Sequence, residues 1–416
     1  MAEISEKNRE ENSVNYPNFL NRSFFEDVLQ KYEQDSTLSI TNLEITSATQ
    51  AGDNFSSIVL KAKVFYKTNG KEIISKSLIV KTLPFEDSSR KEMLESFPVF
   101  EREIEIYTKV LQEMRRIMDS IGDSEEFSPK LIYFSRDPKV LIFDDLKELG
   151  YQMHLELHNF ENTVKIARKL AKFHALSIYI DENKSNIDLT KYKTIITKDG
   201  IEKGQVFFGG LDYLKEEVKN WPGYEKVAEK LANQSRVYVN DLLKAYEPLP
   251  APGFNVLCHA DFHIKNLLFK MQDGSMLTET MFLDFQMSHW GSPGVDLIPI
   301  FYAMGDAECR KRREEILFAY HESLEGYMKR LGCLTKCPSL LELNGDLLKM
   351  GAVEVVWGIT FLPFFYPFFA NLDMSAVEDP TPEAMNKIRK IMYSDKDVNE
   401  ALREILLNLL YRGVLY

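Results

Sequence analysis

Val256-Leu257-Cys258-His259-Ala260-Asp261-Phe262-His263-Ile264-Lys265-Asn266-Leu267-Leu268-Phe269, followed further on by Met281-Phe282-Leu283-Asp284-Phe285, is the stretch on which the fold turns. Two apolar runs each deliver an aspartate, and the loop behind the first adds an asparagine. H-x-D and D-F are each commonplace alone. Joined as H-x-D-x-x-x-x-N, a short strand, and then three apolar residues before D-F, they form a pattern that chance does not readily supply. Asp261, Asn266 and Asp284 are hard oxygen donors. Such a set suits magnesium, which keeps several waters and binds through one or two carboxylates together with substrate phosphates.

Outward from this island the chain divides in character. Ser23-Phe24-Phe25-Glu26 has capping-box form and predicts a short helix through Tyr32. Strands are predicted over Ile40 to Ala48, over the alternating Ile58 to Tyr66, and at Leu78 to Lys81 after an Asn69-Gly70 turn. Two more follow at Lys130 to Phe134 and Lys139 to Phe143, with a helix from Glu92 to Met118 before them. The sum is a sheet of about five strands with one long helix inserted after the third. Beyond Asp145 the pattern is helical apart from the island between Val256 and Phe285. We therefore expect an α+β protein with a strand-rich part over 1–145 and a helical part over 146–416. Val164, Ala167, Leu170, Ala171 and His174 share one helical face, which makes His174 a core histidine. The run Arg310-Lys311-Arg312-Arg313, flanked by Glu308, Glu314 and Glu315, reads as a solvated helix face with local ion pairs.

Composition narrows the function. The 416 residues are 44% hydrophobic, a globular proportion, and 51 basic against 63 acidic side chains give a net charge of −12. That is the wrong sign for gripping phosphate backbones, so no nucleic acid partner is expected. Four cysteines and no apolar leader in the first twenty residues point to a reduced, cytoplasmic protein, with Cys333 and Cys337 as free thiols. Val355 to Leu372 carries no charge, yet Pro363 and Pro367 interrupt it, so no membrane span is expected. Within it Trp357, Phe361, Phe364, Phe365 and Phe368 recur at helical spacing, which favours core over pocket.

The joined motifs resemble the catalytic loop and metal-binding aspartate of the protein-kinase-like fold, in the branch of aminoglycoside phosphotransferases and choline kinases. Together with Phe285-Gln286-Met287-Ser288, Gly291-Ser292-Pro293 and Asp296-Leu297, the stretch is similar to the insect ecdysteroid kinase-like family, also called CHK kinase-like. Leu170 to Ala175 and Arg412 to Leu415 also look familial. The resemblance implies a two-lobed fold with ATP in the cleft, a small strand-rich N-terminal lobe and a large helical C-terminal one. It implies a nucleotide loop containing Gly52 and Asn54, and Lys81 as the lysine that holds the α and β phosphates. Glu103 suits the helix partner of Lys81, with Glu101 and Glu105 as rivals. Asp144, Asp145 and Leu146 fall at the hinge whose backbone would meet adenine. Asp261 is then the catalytic carboxylate, His259 a brace of its loop, Asn266 and Asp284 the magnesium ligands, and Asp296 a further anchor from the following helix.

Asp284-Phe285-Gln286 departs from Asp-Phe-Gly, and no A-P-E follows, so the implied acceptor is a small molecule and not a protein. The family points to an ecdysteroid or another lipophilic alcohol, phosphorylated in hormone inactivation or in detoxification. Choline or ethanolamine is the alternative within kinases. A pseudokinase that binds a hydrophobic hormone without catalysis is the alternative outside them. Lys81, Asp261, Asn266 and Asp284 are all present, which weighs for an enzyme.

Overall fold

A computed structural model describes residues 16–48, 57–69, 72–83, 98–183, 186–203, 208–232, 235–367 and 382–415. The chain forms two compact units, Met1–Thr108 with Ser128–Tyr151, and Lys109–Phe127 with Gln152–Tyr416.

In the first unit, helix α1 (Arg22–Glu33) precedes strands β1 (Ser39–Ser47), β2 (Ile58–Lys67) and β3 (Ile74–Thr82), then helix α2 (Val99–Glu105), and finally β4 (Leu131–Arg136) and β5 (Lys139–Asp144). The strands make one antiparallel sheet in the order β1-β2-β3-β5-β4. Alternation along each strand sorts the side chains between two faces. Leu60, Ala62, Val64 and Tyr66 of β2, Leu78 and Val80 of β3, and Val140 and Ile142 of β5 form a core with Phe25, Val28 and Leu29 of α1. The residues between them, Lys61, Ser77, Lys81, Leu141 and Phe143, are thereby committed to the opposite face. The start of α1 differs from expectation. Its cap is Asn21, whose side chain accepts from Phe24 N at 3.1 Å, and Ser23 lies inside the first turn. Glu26 is free of the capping box because it accepts Ile40 N of β1 at 2.7 Å.

The second unit opens with α3 (Leu111–Ser120) and the 23-residue α4 (Phe160–Glu182). Four shorter helices follow, α5 (Lys198–Lys203), α6 (Gly209–Glu217), α7 (Glu225–Ala232) and α8 (Ser235–Ala245). Then come β6 (Val256–Cys258), β7 (Leu267–Gln272), β8 (Met276–Phe282) and β9 (His289–Gly291), paired antiparallel as β6 with β9 and β7 with β8. Helices α9 (Gly294–Ala303), α10 (Ala307–Lys311), α11 (Arg313–Leu331), α12 (Leu340–Lys349), α13 (Gly351–Val355), α14 (Pro382–Ser394) and α15 (Lys396–Tyr411) complete it. The protein is α+β, an antiparallel sheet followed by a mostly helical remainder, as its sequence implied.

The basic run of α10 and α11 behaves as expected at Arg312, which pairs with Glu308 at 3.0 Å and Glu315 at 2.8 Å on the surface. Arg313 does not. Arg312 lies in the turn between α10 and α11, and Arg313, the first residue of α11, points inward to Glu354, which is fully buried and also takes Arg412 at 2.6 Å and the Tyr302 hydroxyl at 2.8 Å. Burial alone would raise the Glu354 carboxyl, but the two arginines outweigh it and hold the group below the usual carboxylate range. Among the described residues no single helix is long and apolar enough to cross a membrane. Leu340–Lys349 and Gly351–Phe365 would do so only as a pair, and they are bent by 67°.

Candidate active site

Where the chain leaves β6 it turns sharply, and Ala260 takes a φ of 66°, a region that residues with a Cβ rarely occupy. Asp296, in the first turn of α9, holds that turn in place. Its Oδ2 accepts His259 N at 2.7 Å and its Oδ1 accepts Ala260 N at 2.7 Å. From α4, His174 donates Nε2–H to the same Oδ2 at 3.1 Å and accepts the Tyr320 hydroxyl at Nδ1 at 2.7 Å. Burial pushes the Tyr320 phenol well up, so it stays a donor. His174 is a satisfied core histidine, as its helical face suggested, and its partner is the anchor of the loop.

The loop is also tied to the β7–β8 hairpin. His259, fully buried, donates Nε2–H to the carbonyl of Leu283 at 2.7 Å, and Leu283 N donates to the carbonyl of Asn266 at 2.9 Å. Burial lowers the His259 imidazole and keeps it neutral, against the pull of Asp296 and Asp261. Since Leu267 pairs with Phe282, the hairpin sets Asn266 opposite Leu283, with Asp284 next along the chain. Asp284 takes a φ of 62°, which ends the strand and starts a turn at Phe285–Met287.

Asp261 is thus presented from a loop fixed at both ends. Asn266 Nδ2 donates to Asp261 Oδ2 at 2.8 Å and to the Asp261 carbonyl at 2.9 Å. His263 Nε2 lies 3.2 Å from Asp261 Oδ1. Burial would raise the Asp261 carboxyl, yet His263 first, then His259 and Asn266, hold it below the usual range and therefore ionised at neutral pH. The sequence reading passed over His263. Its only signal was its place two residues beyond the aspartate, where an extended loop returns a side chain to the same side. The His263 ring packs on Phe365 at 5.2 Å and Trp357 at 6.3 Å between centroids. Trp357 and Phe365 are buried, Phe361 and Phe364 are half-buried, and Phe368 lies outside the described residues. The helical spacing expected of them is realised as a π turn over Val356–Phe361 and a tight turn over Leu362–Phe365.

In the first unit, Lys81 Nζ meets Glu103 Oε2 at 2.7 Å, with side chains only 7% and 1% exposed. Glu101 instead pairs with Arg136 at 2.7 Å on the surface. Asp145 accepts Lys61 Nζ at 2.7 Å, Ser77 Oγ at 2.8 Å and Lys147 N at 3.0 Å. Burial opposes its ionisation, but those bonds hold the carboxyl below the usual range. Its carboxylate is thus held within its own unit by β2, β3 and the turn that follows β5, while Asp144 lies 3.7 Å from Lys76 and Leu146 is buried. Gly52 and Asn54 lie outside the described residues.

Residues 51–333 match the family model of the ecdysteroid kinase-like family. The chain belongs to that family. It is a family of kinase-like phosphotransferases for small molecules. No curated protein matches the chain significantly. Two solved structures are distantly similar. One is the streptomycin-ATP-APH(2")-IIa ternary complex, 15% identical, covering 83% of this chain and 94% of that one, with a TM-score of 0.30. The other is the macrolide 2'-phosphotransferase MphH from Brachybacterium faecium, 11% identical, covering 82% and 98%, with a TM-score of 0.33.

Proposed function

We propose that this member of the ecdysteroid kinase-like family is an ATP- and magnesium-dependent kinase for a hydroxyl group on an ecdysteroid or similar lipophilic alcohol. The observation that carries the proposal is the Asp261 carboxylate, ionised, gripped on one oxygen by Asn266 and approached on the other by His263. It stands on a loop that Asp296 pins from beneath. Asp261 orients the acceptor hydroxyl and takes its proton as the oxygen bonds to the γ-phosphorus and ADP departs.

The donor set fits magnesium. Both hydrogens of Asn266 Nδ2 are spent on Asp261, so the amide offers its remaining polar atom, Oδ1, which is a hard acceptor, alongside the Asp284 carboxylate. Bound there, the ion would neutralise charge on the nucleotide phosphates. Lys81, held by Glu103, would do the same for the α and β phosphates. The lipophilic acceptor is suggested by the family, and Trp357 and Phe365, which pack on His263, are apolar side chains beside the Asp261 loop.

Mass spectrometry of reactions with ATP, magnesium and a panel of ecdysteroids, other hydroxylated lipophiles and choline tests the proposal. Phosphate should appear on a lipophilic alcohol with wild-type protein, and Asp261→Asn should bind ATP yet turn over about 1,000-fold more slowly. Phosphorylation of choline alone would overturn the acceptor class, and full turnover by Asp261→Asn would overturn the mechanism.

A further inference from the structure

We propose that His263 is a positioning residue for Asp261, a role that rests on the phosphoryl-transfer reading and adds to it a link between the catalytic carboxylate and the aromatic segment. Asn266 Nδ2 lies 3.4 Å from His263 Nε2, but both of its hydrogens go to Asp261. Nε2 must therefore carry its own hydrogen, and the acceptor within reach is Asp261 Oδ1 at 3.2 Å. The other ring nitrogen, Nδ1, is buried and takes no hydrogen bond among the described residues, so no polar contact at that nitrogen orients the ring.

Packing orients it instead. Phe365 lies at 5.2 Å and 46° to the imidazole, and Trp357 at 6.3 Å and 53°. Trp357 in turn stacks on Phe365 at 6.1 Å and 26° and meets Phe361 at 4.9 Å. The two donors divide the carboxylate, Asn266 on Oδ2 and His263 on Oδ1. Together they fix its plane and leave each oxygen a lone pair for the acceptor hydroxyl. With His263 removed, Asn266 grips one oxygen only, and the group is free to rotate about Cβ–Cγ. The loss belongs to the chemical step, because no part of this contact involves Lys81 or Glu103.

Steady-state kinetics of wild type, His263→Ala, His263→Gln, Phe365→Ala and Asp261→Asn test the role, using the acceptor found in the panel. His263→Ala should lower kcat by about 10- to 100-fold through misplacement of Asp261. KM for ATP should stay within about twofold, since uniform binding is untouched. His263→Gln, whose amide nitrogen replaces the Nε2–H, should recover most of the rate, and Phe365→Ala should fall between. Added imidazole should raise turnover of His263→Ala and leave Asp261→Asn inert. A normal kcat in His263→Ala beside an inert Asp261→Asn overturns this inference and spares the function. Equal losses in His263→Ala and His263→Gln, with a lowered Tm and no effect of imidazole, reduce the histidine to packing and also overturn it. Full turnover by Asp261→Asn removes both readings.

Discussion

Replacing Asp296 by asparagine keeps its shape, yet the geometry offers no harmless place for the amide nitrogen. Oδ1 accepts Ala260 N, and Oδ2 accepts both His259 N and His174 Nε2. Whichever oxygen becomes NH2 faces a backbone N–H. The better orientation keeps the oxygen at the Oδ2 position and sets the NH2 against Ala260 N. That choice loses one hydrogen bond to a charged group, about 1.5–3 kcal/mol, and leaves a buried donor unpaired, about 1–3 kcal/mol. Some returns, because Ala260, at φ 66°, is freed from a left-handed conformation that costs about 1–2 kcal/mol. The net loss is about 1.5–4 kcal/mol. Relaxation of Ala260 moves the next residue, Asp261, so kcat should fall about 100-fold while the protein remains folded. Urea unfolding gives the first quantity, and turnover well below the unfolding midpoint gives the second. A stability loss below about 1 kcal/mol with unchanged kcat would refute the claim that Asp296 holds the turn.

Two further outcomes follow from buried groups. Glu103→Gln should lower stability by up to about 3 kcal/mol and weaken ATP binding, because Lys81 loses its buried counter-charge. Glu101→Gln, which breaks only a surface pair with Arg136, should cost no more than about 1 kcal/mol and leave ATP binding unchanged; equal effects in calorimetry would transfer the role to Glu101. His158 is buried beside His154, and burial first, then that neighbour, lowers its imidazole to about 4. Below the ordinary imidazole range the unfolded chain takes up a proton that the folded protein refuses. Stability should therefore fall by about 2 kcal/mol from pH 7 to pH 5, and the loss should be complete below pH 4. His158→Gln should flatten that slope in urea titrations at the two pH values, and an unchanged slope would clear His158 of the effect.

The sheet was legible because burial on one face writes a period of two into the sequence. Ile58 to Tyr66 and Leu78 to Lys81 emerge as neighbours in register, with Lys81 on the face away from α1. The loop from His259 to Asn266 was legible as a unit because its residues are local, and the structure joins Asp261 to Asn266 by hydrogen bonds within one turn. What escaped were choices that only tertiary contacts make. Glu101, Glu103 and Glu105 have the same chemistry at every second position of one short helix, and only the direction in which α2 faces decides which carboxylate is buried against Lys81. Arg312 and Arg313 are neighbours in sequence, but Arg312 sits in the turn between α10 and α11 and stays in water, whereas Arg313 is the first residue of α11 and neutralises Glu354. His263 escaped for a similar reason, since its aromatic partners Trp357 and Phe365 lie about a hundred residues further along the chain.

Asp261 in the loop and Asp296 beneath it differ in what their oxygens have left to give. Asp296 is wholly buried, and its carboxylate is committed to three donors from the protein itself. A group so placed can hold a backbone turn but cannot meet a substrate. Asp261 keeps 32% of its side chain exposed, and each of its oxygens has one donor from its own loop. Those donors fix its plane and its charge while leaving lone pairs open. The difference is not visible in residue type, since both are aspartates near the same turn. It follows from where the donors sit: His174 of α4 and the backbone of His259 and Ala260 converge on Asp296, whereas among the described residues Asn266 and His263 are the side chains that approach the Asp261 carboxylate. If Asp261 acts as proposed, adding a third protein donor to it should stabilise the loop and lower turnover, a trade that urea unfolding and steady-state kinetics of the same variant would measure together.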